Sequence, residues 1–186
     1  MSIILGSHSP DQVQEQVFVK VVIAGDGCVG KTSLRLQYLG EYVPRTYVAT
    51  IGADYAIKSL VLDTVEIKIG IFDLAGQPDY MNVRSLFYWD TRGCLLVYDR
   101  TRPGSLTNLH LWWNELKKNS QIDELYVTVI GNKSDLESKI RIEEGERFAR
   151  EIDAPHYITS ALTGENVENV FNSMVIKIWK CISQAF

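Results

Sequence analysis

The stretch "GDGCVGKTS", residues 25–33, decides how the rest of the chain is read. It matches G-x-x-x-x-G-K-[ST] and follows Val17–Ala24, a short, nearly continuous apolar run of the kind a buried parallel strand shows. A helix is expected to start near Lys31. Glycines at 25, 27 and 30 let successive backbone N–H groups curl around phosphate oxygens, and a helix N-terminus adds its partial positive charge. Lys31 can reach the terminal phosphates, and Thr32 can place its hydroxyl on Mg²⁺. The bland alternative is an ordinary Gly turn capping a helix, and the strand–turn–helix context argues against it. This loop specifies phosphate and leaves the base open.

Outward from the loop, strand and helix alternate. Asp54–Leu62 and Val65–Asp73 read as strands joined at Asp63-Thr64, a hairpin. Gly93–Tyr98 is a buried strand, and a helix over Ser105–Lys118 carries Leu106, Leu109, Trp112, Trp113 and Leu116. Leu125–Ile130 is strand-like, Ile142–Ile152 helical, and Pro155–Thr159 a last short strand. In the final helix Val167, Val170, Phe171, Met174, Val175, Ile178, Trp179 and Ile182 follow i, i+3, i+4, i+7 spacing, which is a core-packing stripe. The order implies an α/β fold, a mostly parallel twisted sheet with helices on both faces. Ligands in such sheets sit beyond the carboxyl ends of the strands, here after Ala24, Asp73, Ile130 and Thr159.

At 186 residues, 46% hydrophobic and 23% charged, the chain suits one globular domain. A net charge of −4 without a basic block argues against nucleic-acid binding, and the apolar runs fall far short of the ~20 residues a membrane span needs. Residues 1–16 read as a loose leader with no signal-peptide pattern, and 183–186 as a short tail around a domain spanning 17–182. Cys28, Cys94 and Cys181 are too scattered for a disulfide framework or a zinc site, which fits a reduced, cytoplasmic setting.

"VTVIGNKSDL", residues 127–136, addresses the base. A buried carboxylate at Asp135 can accept from the N1–H and exocyclic amine of guanine, and adenine would leave it unmatched. A site built for such hydrogen bonds discriminates by ~10⁴ or more. Asn132 can bind the purine edge and brace the phosphate loop, while the alkyl stem of Lys133 covers the ring face. Ser160 and Ala161 would offer a backbone N–H to guanine O6. By itself N-K-x-D is a weak signal; downstream of a phosphate loop it becomes strong.

With GDGCVGKT, Thr50 in "ATIG", "DLAGQ", "NKSD" and "SAL" in order, the chain resembles the small GTPases of the Ras superfamily over roughly residues 17–182. From "TIGADY" and "LFYWDTRGCLLVYD" it looks most like a Rab protein, and "IFDLAGQPDYMNVRSLFYWDTRG" is similar to the Rab branch whose members can carry a J domain. The resemblance implies a P-loop NTPase G domain with a six-stranded sheet, GTP/GDP and Mg²⁺ as ligands, and regulation of vesicle traffic.

Residue by residue, the resemblance implies nucleotide binding by Asp26, Gly27, Cys28, Val29, Gly30, Lys31, Thr32, Ser33, Tyr47, Thr50, Gly76, Asn132, Lys133, Asp135, Leu136, Ser160, Ala161 and Leu162. Thr32, Thr50 and Asp73 would hold the metal. Gly76 would donate its N–H to the γ-phosphate, Gln77 would orient the attacking water, and Lys31 would act with it in catalysis. Tyr55, Phe72 and Phe87 map onto an exposed aromatic triad for effectors, although three core aromatics would read the same way. Exchange factors and activating proteins are the other expected partners. No arginine aligns to act in cis, since Arg45 lies five residues before Thr50, so turnover of order 10⁻⁴–10⁻² s⁻¹ is expected without a partner's arginine.

Several positions depart from the family pattern. Val43 takes the slot of an aromatic that usually covers the base, with Tyr42 one earlier. Phe72 replaces a Trp, Leu74 a Thr, Pro78 a Glu and Leu162 a Lys. Pro78 fixes its own φ and biases Gln77 away from helical geometry. Cys181 is sixth from the end and Ser2 follows Met1, so neither tail carries a lipidation motif. That means either a soluble protein or a sequence shortened at its tail, with membrane association depending on a longer tail or a recruiting partner. Besides a hydrolysing switch, a nucleotide-locked scaffold and an ATP-dependent P-loop kinase stand as alternatives.

Overall fold

The apolar run at Val17–Ala24 starts two residues earlier: strand β1 covers Glu15–Ala24 in a computed structural model that describes residues 15–44, 46, 49–62, 64–120 and 125–184. The other strands are β2 (Ala53–Leu62), β3 (Val65–Leu74), β4 (Gly93–Asp99), β5 (Tyr126–Asn132) and β6 (His156–Ile158). They form a six-stranded sheet of order β2-β3-β1-β4-β5-β6. Only β2 and β3 are antiparallel, with Leu62 opposite Val65, so the expected hairpin is present; Asp63 of its turn lies outside the described residues. The remaining ladders are parallel, which directs the ends of β1, β3, β4, β5 and β6 to one edge of the sheet.

Helices α1 (Lys31–Leu39) and α6 (Val167–Gln184) share one core, while α4 (Leu109–Asn119) and α5 (Ile142–Glu151) share the other. The alternation along β1 serves both layers. Val19, Val21 and Ile23 face α1 and α6, whereas Val22 and Ala24 face α4 and α5. In α6 the stripe expected from spacing is buried from Val167 to Ile178 and packs Phe171 against Tyr38 with ring centroids 4.1 Å apart.

Most strand and helix ends fall within two residues of the sequence reading, and three differences bear on the organisation of the chain. β1 takes in Glu15 and Gln16 of the expected leader, and α6 takes in Ser183 and Gln184 of the expected tail; residues 1–14 and 185–186 lie outside the described ones. The helix expected over Ser105–Lys118 is two pieces, α3 (Pro103–Thr107) and α4, separated by Asn108. Its side chain is drawn to the phosphate loop, donating to Asp26 Oδ2 at 2.8 Å. Between β3 and β4 the chain forms a 3₁₀ turn at Pro78–Tyr80, α2 (Met81–Arg84) and a second 3₁₀ turn at Ser85–Phe87. This segment carries no helical stripe because Met81, Val83 and Leu86 stand exposed.

Two packing details recur below. Phe18, 52% exposed on β1, lays its ring over Gly70 of β3, where a Cβ would overlap the ring. Tyr98, buried near the end of β4, meets His156 with its hydroxyl 3.0 Å from Nε2. Burial holds that imidazole below its ordinary value, against the opposing pull of Glu146. Cys94 is buried in the core, Cys181 is half-buried beside Tyr126, and Cys28 is exposed; none is paired. Among the described residues no helix is long and apolar enough to cross a membrane.

Candidate functional site

At the strand edge, the loop between β1 and α1 lines a cleft of about 300 Å³ together with Pro44, Thr46, Thr50, Gly76, Gln77 and Lys133. Two loop glycines are enforced by geometry. Gly25 has φ +143° with the Val97 carbonyl where a Cβ would stand, and Gly30 has φ +98° with the Asn132 amide there. Gly27 instead faces open space, so its missing side chain leaves room in the cleft and relieves no strain. Lys31 is buried, with Nζ donating to the carbonyls of Gly25 (2.7 Å) and Asp26 (2.8 Å). Burial lowers its pKa to about 8, while Asp73 and Asp26 pull the other way.

The Asp26 side chain turns away from the cleft. Its carboxylate accepts from Asn108 Nδ2 and Trp112 Nε1, both at 2.8 Å, so Asp26 reaches the cleft through its backbone alone. Val29 likewise is a core side chain. Cys28, at φ +65°, lines the cleft with Ser33.

A candidate cation site lies at the end of β3. Asp73 is fully buried, and its Oδ2 accepts from Thr32 Oγ1 at 2.5 Å and Thr50 Oγ1 at 3.3 Å. The two hydroxyls are 3.0 Å apart. Asp73 Oδ1 is buried without a partner among the described residues. Burial raises the carboxyl's pKa, against the hydroxyl bonds and the charges of Lys31 and Arg35. One orphaned carboxylate oxygen beside two converging hydroxyls is a donor set that fits a hard divalent cation.

On the base side, Asn132 is the brace expected from sequence. Buried at 1% exposure, it donates from Nδ2 to the Val29 carbonyl at 2.9 Å. Its Oδ1 accepts from Thr159 Oγ1 and the Ala161 N–H, both at 3.1 Å. Lys133, at φ +70°, places Nζ 2.6 Å from Asp99 Oδ2. Two groups on this side differ in setting from the sequence expectation. Asp135 is exposed and tethered by Ser160 Oγ at 2.5 Å, because it sits on an open turn beyond β5. The N–H groups of Ser160 and Ala161 are both engaged, with the Glu165 carbonyl and Asn132; the Leu162 N–H has no partner among the described residues and is the open donor of that turn. Leu136 and Leu162 project into solvent, the latter 57% exposed.

Gly76 and Gln77 meet the loop from the other side. A Cβ on Gly76 would overlap Gly27 N and the Asp26 carbonyl, so the two backbones touch. Gln77 is extended at φ −82°, ψ 144°, as its Pro78 neighbour requires, and Pro78 opens the following 3₁₀ turn. Gln77 Oε1 is buried without a partner among the described residues. Tyr55, Phe72 and Phe87 do gather, with ring centroids 4.7 and 5.8 Å apart. Tyr42 is 81% exposed and does not line the cleft, so it does not fill the slot left by Val43. Tyr47, expected to contact nucleotide, lies outside the described residues, as does Arg45.

Sequence reasoning missed Asp99, Arg84 and Arg102. Asp99 stands at the carboxyl end of β4, on the same sheet edge as the phosphate loop, and no nucleotide motif marked it. Burial alone would raise its pKa, but hydrogen bonds from Lys133 and Thr101 hold the carboxyl below the ordinary range. Arg102 donates to the Gly27 carbonyl at 2.7 Å, and no motif marked it.

Comparison with known proteins extends this site to a lineage. The family model described as "Ras family" matches residues 20–180. Ras-related protein Rab-37 of Homo sapiens is 39% identical over 155 residues, covering 82% of this chain and 69% of the relative. The Mus musculus protein of the same name matches equally, at 39% over 155 residues. A family match of that span, over a cleft lined by the phosphate loop with Thr50, Gly76, Gln77 and Lys133, gives the affiliation: the chain belongs to the Ras family of small GTPases, enzymes that bind GTP and GDP and hydrolyse GTP, and is Rab-like within it.

Proposed function

We propose that this protein is a guanine-nucleotide switch of Rab-like type acting in membrane traffic, cytoplasmic, and slow at hydrolysis until an activating protein engages it. The observation that carries the reading is the convergence of Thr32, Thr50 and Asp73 beside the Gly76–Gln77 backbone. It supports a reading in which a cation site, a phosphate sensor and a water-orienting amide share one end of a phosphate loop. Thr32, Thr50 and Asp73 would hold Mg²⁺, which when bound supplies charge neutralisation of the terminal phosphates. Lys31, already buried against the loop carbonyls, exchanges those contacts for phosphate oxygens. Gly76 donates its N–H to the γ-phosphate, and Gln77 turns its unpartnered Oε1 to the attacking water.

Asp135 accepts from the guanine edge, and burial beneath the bound base strengthens that contact. Asn132 keeps the purine and phosphate loops in register, and Lys133 lies along the ring. Loss of the γ-phosphate removes the contacts at Thr50 and Gly76, and the segments around them relax. Effectors read that change through Tyr55, Phe72 and Phe87. Turnover of order 10⁻⁴–10⁻² s⁻¹ is expected for the unassisted protein.

One observation favours the scaffold alternative. Gln77 is held extended by Pro78, and its carbonyl accepts from Arg84 Nη1 at 2.7 Å, so protein contacts hold its backbone and resist movement between nucleotide states. The two readings separate by experiment. Guanine nucleotide should be retained on purification, and Gln77→Leu should slow single-turnover hydrolysis about tenfold or more. Retained ATP, or no nucleotide at micromolar concentration, would sink both readings. An unchanged rate in Gln77→Leu leaves the scaffold. Asp135→Asn should move preference from guanine toward xanthine, which an ATP-dependent kinase would not show.

A further inference from the structure

Arg84 belongs to none of the nucleotide motifs, yet it is buried and its guanidinium is committed on three sides. Nε and Nη2 donate to Glu115 Oε1 and Oε2 at 2.7 and 2.8 Å, a two-pronged pairing that only arginine makes. Nη1 donates to the Gln77 carbonyl at 2.7 Å and lies 3.4 Å from that of Ala75. The guanidinium carbon lies over the Trp112 ring, 4.2 Å from its centre.

The anchors are themselves anchored. Glu115 Oε1 also accepts from Tyr88 at 3.1 Å, and Trp112 Nε1 donates to Asp26 Oδ1 at 2.8 Å. A chain of contacts therefore runs from Asp26 in the phosphate loop, through an indole and a guanidinium, to the backbone of Gln77. Pro78 fixes the next residue, so the Gln77 backbone is held from both directions while its Oε1 has no partner among the described residues.

We propose that Arg84, seated by Glu115 and Trp112, is the positioning residue that aims Gln77 relative to the phosphate loop. The inference rests on the hydrolytic reading of Gln77 given above. A guanidinium locked by Glu115, Trp112 and two carbonyls permits little drift of the Gln77 carbonyl it holds, and a misplacement of about 1 Å at a reacting group costs as much as a hundredfold in rate. Lysine at 84 cannot pair both Glu115 oxygens and reach Gln77 together. Glutamine at 115 keeps the volume and removes the charge that seats the fork.

The test is a double-mutant cycle in intact protein with GTP and Mg²⁺. Arg84→Lys and Glu115→Gln should each slow single-turnover hydrolysis about tenfold to a hundredfold with the Kd for GTP unchanged. In a Gln77→Leu background neither should add a further loss, because the residue acts through Gln77. Full additivity in that background would overturn the proposal. So would a fall in affinity that matches the fall in rate, or wild-type rates in both folded single variants. Should Arg84→Lys fail to fold, Glu115→Gln carries the cycle alone. A Gln77→Leu protein that hydrolyses at the wild-type rate would remove Gln77 from the mechanism, and Arg84 with it.

Discussion

Replacing Asn132 by Ala removes one side chain that serves two loops. The Val29 carbonyl loses its donor, and the Ala161 N–H and Thr159 hydroxyl lose their acceptor. The hydroxyl can rotate to another partner, which leaves two buried backbone groups unmatched at about 1–3 kcal/mol each, or about 2–6 kcal/mol together. That is a large share of the ~5–15 kcal/mol by which a domain is stable. With a urea m-value of about 2 kcal/mol/M, the midpoint falls by about 1–3 M.

Affinity should fall as well, because the phosphate and purine loops lose their common brace. Bound nucleotide itself adds stability, so the urea titration is run at several GDP concentrations and extrapolated to none, which separates the two effects. Asn132→Asp is the informative comparison. It keeps an acceptor for Ala161 but sets a carboxylate oxygen against the Val29 carbonyl, so it should be no more stable than Ala. An Asn132→Ala protein with the wild-type midpoint and the wild-type GDP affinity would refute the reasoning.

Gly76→Ala places a methyl where Gly27 N and the Asp26 carbonyl already stand, so position 76 must retreat from the phosphate loop. On the proposed sensor role GTP would lose one charge-assisted hydrogen bond that GDP lacks, and the ratio of the two Kd values should shift by about tenfold to a hundredfold against GTP; an unchanged ratio counts against the sensor role. His156 is held below its ordinary pKa by burial, so on acidification the unfolded chain takes up a proton first. Stability should therefore fall as pH drops through the ordinary imidazole range, and urea midpoints at pH 7.5 and 5.5 should converge in His156→Gln relative to wild type.

The sheet and its helices were legible because their signals are local. The apolar runs at β1 and β4 and the stripe from Val167 to Ile178 arise from burial on a fixed period, and the loop at 25–33 from backbone that needs glycine. What stayed hidden depends on who sits opposite whom. Nothing near Asn108 in sequence announces that its amide ends a helix turn by reaching Asp26, 82 positions away. Arg84 reads as one more charge on a short, exposed helix until Glu115 and Trp112 are placed around it. Asp135 was expected to be buried because its role needs a dry contact, and here it lies open on a turn. The Ser160–Ala161 donors followed from the family pattern, but Asn132 and Glu165 hold those N–H groups.

The Phe18 ring lying over Gly70 has a bearing on how this sequence can drift. The space above a Cβ-less residue in the middle of β3 is filled by a half-exposed side chain from β1, so a side chain at 70 takes that space only by swinging the ring outward. A larger residue at 70 collides with the ring, and a smaller one at 18 uncovers bare backbone. Among descendants of this chain the two positions should behave as one inherited character, bulk at one accompanied by its absence at the other. An aligned set of relatives in which large residues occupy both sites at once would show that the strands can part to admit them.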